Sequence, residues 1–91
     1  MNQALHILVE GKVQGVGFRK FTRQAARDHQ ITGWVRNLED GKVECVAEGK
    51  EDDLDNFLHQ ISLGPIGSQV VNLKKISVEN AGFQSFEILI P

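Results

Sequence analysis

Three glycines, Gly11, Gly15 and Gly17, stand within seven residues, between an apolar run from Leu5 to Val9 and a segment that opens on Phe18 and Arg19. This spacing constrains the fold more than any other feature. Residues 4–12 read as a strand buried on at least one face. From Phe18 the pattern turns helical: Phe18, Phe21, Thr22, Ala25 and His29 share a face at three- and four-residue spacing. A strand must therefore hand over to a helix within a few residues, through backbone conformations that glycine adopts without strain. N–H groups in such a turn, and at a helix N-terminus, point at an anion without help from side chains. Arg19 adds a permanent charge and a planar fork of donors that fits two phosphate oxygens.

The rest of the chain alternates in the same manner. The first helix is expected to end between Asp28 and Gln30. Residues 31–38 return to β-branched and aromatic strand character. Asp40-Gly41 separates them from Lys42–Glu48, which is a strong hairpin signal. In the second arm Val43, Cys45 and Ala47 alternate with Glu44 and Glu48, so one face is buried and the other at least partly wet. Leu54, Phe57, Leu58 and Ile61 mark a second helix, with Glu51, Asp52, Asp53 and Asp55 where the helix dipole favours negative charge. Gly64-Pro65 stops it. Val70–Val78 is a third β-rich region, Asn80-Ala81-Gly82 a turn, and Phe86–Ile90 a last short strand. The order β-α-β-β-α-β is that of an α+β, ferredoxin-like sandwich, an antiparallel sheet with two helices on one face. At 91 residues it is expected to be a single domain, 1–91.

Bulk properties exclude several classes. The net charge is −2, a poor match for nucleic-acid or anionic-membrane binding. No signal peptide or membrane span is visible, and a cytoplasmic protein is expected. The lone Cys45 cannot form a disulfide within the chain and reads as a small buried strand residue. His6, His29 and His59 are scattered, without metal spacing, so no metal or cofactor is expected. The acidic start of the second helix reads as a solvated, dipole-compensating face. No Gly-x-Ser-x-Gly elbow or Walker A loop is present, and Lys20 stands where a dinucleotide fingerprint needs its third glycine.

Taken alone, the glycine loop is also consistent with a plain tight β-to-α turn. A second constellation, Gly33-Trp34-Val35-Arg36-Asn37 through Asp40-Gly41-Lys42-Val43-Glu44 to Gly49, bears on that choice. Asn37 falls just before the hairpin turn, where its amide can reach a neighbouring loop or simply favour the turn. Together with Gly11-Lys12-Val13-Gln14-Gly15-Val16-Gly17-Phe18-Arg19, this stretch resembles the paired signature motifs of the acylphosphatase family. The resemblance runs along nearly the whole chain, through Leu54/Phe57/Leu58 and Gly64-Pro65 to Phe86-x-Ile88.

The resemblance implies hydrolysis of the carboxyl–phosphate bond of acyl phosphates. It assigns Arg19 to phosphate binding and Asn37 to positioning the attacking water. It also implies that the amides of Gln14, Gly15, Val16, Gly17 and Phe18 complete the cradle. The partners expected are a small-molecule acyl phosphate, with phosphate or other anions as product or inhibitor, and the chain is expected to be a monomer. Two departures from the pattern stand out, Ile66 after Pro65 and the ending Leu89-Ile90-Pro91; neither touches Arg19 or Asn37. A non-catalytic anion-binding module and an RNA-binding domain of the same topology are the alternatives.

Overall fold

The computed structural model describes residues 2–90; Met1 and Pro91, at the ends of the expected domain, lie outside them. Alternation along β1 (Asn2–Lys12) buries Ile7 and Val9 on one face and leaves His6 and Leu8 on the other. The chain continues through α1 (Phe18–Asp28), β2 (Thr32–Asn37), β3 (Val43–Lys50), α2 (Glu51–Leu63), β4 (Gln69–Val78) and β5 (Phe86–Ile88). The strands form one sheet in the order β4-β1-β3-β2-β5. Cys45 pairs with both Ile7 and Val35, so the three lie in one row beneath the helices.

Two helices cover that face. α1 contributes Phe18, Thr22, Ala25 and Ala26; α2 contributes Leu54, Phe57, Leu58 and Ile61. All but Thr22 join Ile7, Val9, Val35, Val43, Cys45 and Ala47 in one apolar cluster. His29 is half-buried and tied to Gln60 Oε1 at 2.8 Å, which fastens the end of α1 to α2. The acidic residues Glu51, Asp52 and Asp53 occupy the first turn of α2, and Gly64 closes the helix, as the sequence leads one to expect. Cys45 is buried in the core, and that burial pushes its thiol pKa up, keeping it neutral.

The first four strands make the expected antiparallel, ferredoxin-like sheet. β5 adds a parallel edge to β2, with Gly33 opposite Phe86 and Val35 opposite Ile88. The cause is topological. β4 ends on the β1 side of the sheet, and residues 79–85 cross the sheet's end to the opposite edge. β5 therefore starts at the same end as β2 and runs in its direction. Glu48 anchors this crossing. Its carboxylate is buried and accepts the amides of Ala81 and Gly82, while Asn80 Nδ2 donates to Asn2 O at 2.8 Å. Glu48 lies on the face that alternation expects to be at least partly wet but is buried there, its carboxylate satisfied by two backbone donors.

The consequence for function is directional. β1, β2 and β5 run the same way, so the glycine loop after β1, the hairpin after β2 and the chain beyond β5 all gather at one end of the sheet.

Candidate active site

The loop between β1 and α1 turns on two glycines. Gly15 has φ 74°, and Gly17, the N-cap of α1, has φ 77° and ψ 22°. No heavy atom stands within 4 Å of where a Cβ would be built on either, so glycine is required there for its torsion and not for space. The helical ladder begins when Phe21 N donates to Gly17 O at 3.0 Å. The amides of Phe18, Arg19 and Lys20 precede it and have no carbonyl behind them inside the helix. No side chain caps this end and the first turn holds no acidic residue. Arg19 and Lys20 stand there instead, against the helix dipole. An anion bound at this end would satisfy both the amides and the two cations.

Asn37 is the last residue of β2, paired with Val43. Alternation puts it on the helix-covered face with Val35. Its Oδ1 is buried and accepts no hydrogen bond among the described residues. Such an orphaned acceptor is uncommon among buried polar groups.

The turn that follows is firmly built. Leu38 N donates to Lys42 O at 2.9 Å, and Lys42 N and Nζ donate to the Asp40 carboxylate, each at 3.0 Å. The backbone hydrogen bond from Lys42, then the one from its side chain, hold the Asp40 carboxyl below its ordinary range. Gln14 joins the loop to this turn. Its Nε2 donates to Leu38 O at 2.8 Å and to Lys42 O at 3.0 Å.

Loop, helix start and hairpin enclose a cavity of about 350 Å³. Its walls include Gln14, Gly15, Gly17, Phe18, Arg19 and Asn37, so these residues, singled out in the sequence, come together. Val16 does not line it; its half-buried side chain packs against the core. Arg19 is partly exposed and forms no ion pair among the described residues. The cavity also has walls that sequence reasoning missed: Val13 and Lys20 from the loop and helix, and Ile88 and Ile90 from the end of the chain. Ile88 and Ile90 were legible as an apolar terminal strand, but nothing local says which sheet edge that strand joins.

Residues 5–88 match the sequence model of the Acylphosphatase family. The chain belongs to the acylphosphatase family. It is 49% identical over 83 residues to an acylphosphatase of Bacillus licheniformis, covering 90% of this chain and 92% of the relative. It is likewise 49% identical over 87 residues to an acylphosphatase of Archaeoglobus fulgidus, covering 93% and 96%. The fold superimposes on the crystal structure of acylphosphatase from Bacillus subtilis with a TM-score of 0.95 at 36% identity, over 99% of this chain and 100% of that one. Acylphosphatases are hydrolases acting on small-molecule acyl phosphates. No helix among the described residues is long and apolar enough to cross a membrane.

Proposed function

We propose that the cavity binds the phosphate of an acyl phosphate on the loop amides of residues 14–18 and on Arg19, while Asn37 Oδ1 holds the water that attacks it. The observation that carries this reading is the pairing of an uncapped, cation-bearing helix start with a buried, unpartnered amide oxygen in one cavity. The first suits a phosphate. The second suits a water O–H, leaving the water's lone pair free to attack.

The chemistry needs little more. The water oxygen bonds to phosphorus as the bond from phosphorus to the acyl oxygen breaks. The electron pair leaves on a carboxylate whose conjugate acid has a pKa of about 4, so no general acid is required. The proton of the attacking water passes to a phosphate oxygen of the substrate. Phosphoryl transfer of this kind depends on positioning and charge stabilisation, which the loop and Arg19 supply. Products are a carboxylate and inorganic phosphate, and phosphate or similar anions would occupy the same cradle as inhibitors. We read the chain as a single acylphosphatase domain, 1–91, working as a cytoplasmic monomer.

The test is hydrolysis of acetyl phosphate by the wild type, Arg19→Ala and Asn37→Ala. Loss of a single transition-state donor costs about 10²–10³ in rate, and each variant is expected to fall by that much. Equal rates in all three would remove both assignments. Phosphate binding without turnover in the wild type would favour the non-catalytic module instead.

A further inference from the structure

We infer that the Gln14 side chain is a positioning residue for catalysis, setting the distance between the phosphate cradle and the water-holding Asn37. The inference rests on the catalytic reading above and adds to it a role for the carboxamide itself, distinct from the backbone amide of the loop.

The geometry is specific. Both halves of the site sit on segments that follow strand ends, and β1 and β2 are not neighbours: β3 lies between them. The β1–β3 ladder ends with Val9 opposite Val43, so no ladder pairing reaches from the loop beyond Lys12 to the turn of residues 38–42. The Gln14 carboxamide makes that link. Its two N–H groups are both used, one on Leu38 O and one on Lys42 O. These carbonyls lie on opposite arms of the turn, and Leu38 is covalently next to Asn37. The turn cannot yield independently, because Leu38 N closes onto Lys42 O and Asp40 grips Lys42 from both backbone and side chain. Displacing Gln14 would therefore let the turn shift as a unit against the loop, and the shift would reach Asn37 through its covalent neighbour Leu38.

Residue chemistry supports a dedicated role. Two carbonyl acceptors a short distance apart demand a donor with two hydrogens in one plane. Glutamine has the donor and the length, glutamate would turn acceptors on acceptors, and methionine has the length without the donor. Both halves of the site act on one phosphorus atom, so their separation enters the transition state directly. A misplacement of about 1 Å can cost on the order of 10²-fold in rate.

A positioning role predicts a pattern that a merely stabilising contact does not. Gln14→Met is expected to lower kcat for acetyl phosphate by about 10- to 100-fold. Competitive inhibition by inorganic phosphate, which needs only the cradle, is expected to change by less than about threefold. In an Asn37→Ala background, where there is no water to position, adding Gln14→Met is expected to cost less than about threefold more. Gln14→Leu repeats each comparison with a second apolar side chain, and thermal unfolding confirms that the variants compared are folded. A full multiplicative loss in the Asn37→Ala background would overturn the inference. So would a loss that appears in phosphate inhibition and leaves kcat intact. If the wild type and Asn37→Ala hydrolyse acetyl phosphate equally, the catalytic reading itself fails, whatever Gln14 does.

Discussion

The amide of Leu89 donates to the carbonyl of Val35 at 2.9 Å, so the chain beyond β5 still runs alongside the strand that ends in Asn37. This contact carries Ile90 to the cavity wall, although the residue is 87% exposed. The terminal Leu89-Ile90, a departure from the family pattern, thereby acquires a place in the site. A carboxylate there would add a negative charge to the wall of the cavity proposed to hold phosphate. Ile90→Asp is expected to raise KM for acetyl phosphate by about tenfold, with a smaller change in kcat. An unchanged KM would mean that the segment lies away from the site in solution.

Asn37→Ala separates function from stability. The substitution removes the oxygen assigned to the water and also an acceptor that is buried without a partner. An unsatisfied buried polar group costs about 1–3 kcal/mol. Turnover is expected to fall by about 10² or more, while Tm stays level or rises. A drop of several degrees would show that the carboxamide holds the fold together.

Gly17 supplies a torsion and not a space. Alanine at φ 77° meets no neighbouring atom but must occupy the left-handed region, at a cost of about 1–2 kcal/mol. For a domain of this size that corresponds to a fall in Tm of about 5 °C or more. Gly17→Asn, which tolerates this region better, is expected to lose less. Equal losses for alanine and asparagine in a melting experiment would point to a steric cause instead.

Glu44 gives the fold an acid-sensitive contact on the sheet face away from the helices. It accepts His6 Nε2 at 2.8 Å and Arg36 Nε at 2.6 Å. Burial works against its charge, but these two hydrogen bonds outweigh that and leave its carboxyl below the ordinary value of 4.5. A group depressed in this way stabilises the folded state fully above its unfolded pKa and loses that contribution as pH falls through the folded one. Partly exposed pairs are worth about 1 kcal/mol or less, a few degrees in Tm. Glu44→Gln is therefore expected to melt a few degrees below the wild type at pH 7, with the gap shrinking from pH 5 to pH 2. A gap that is constant with pH would remove the ionic explanation.

Local pattern carried much of this architecture. The Asp40-Gly41 hairpin, the buried face of α2 and the Gly64 stop follow from periodicity and turn chemistry, which act over a few residues. That Arg19 and Asn37 meet at one cavity was legible because each sits where two elements join and the two motifs stand together. What the sequence left open depends on distant pairing. Alternation could not show that β5 lies parallel to β2, since an apolar strand suits either edge. It also could not show that Glu48 is buried on the partly wet face, because the amides that cover it come from residues 81 and 82. Gln14 entered as one amide among five in the loop. Its side chain matters through carbonyls 24 and 28 residues away, which no local rule connects.

The crossing of residues 79–85 from β4 to β5 works as a girth strap. Four strand spacings separate its ends, about 19 Å, and the chain between Val78 and Phe86 can reach about 29 Å at most. Much of its length is committed to the span, and Glu48 pins it midway. The wall that Ile88 and Ile90 give the cavity is hung from this strap at the far end of the sheet. Loop length, ordinarily the freest variable of a surface, is therefore a dimension of the cavity. Lengthening the strap would leave the β2–β5 pairing that holds this wall in place, whereas shortening it would strain that pairing without altering a residue that lines the cavity.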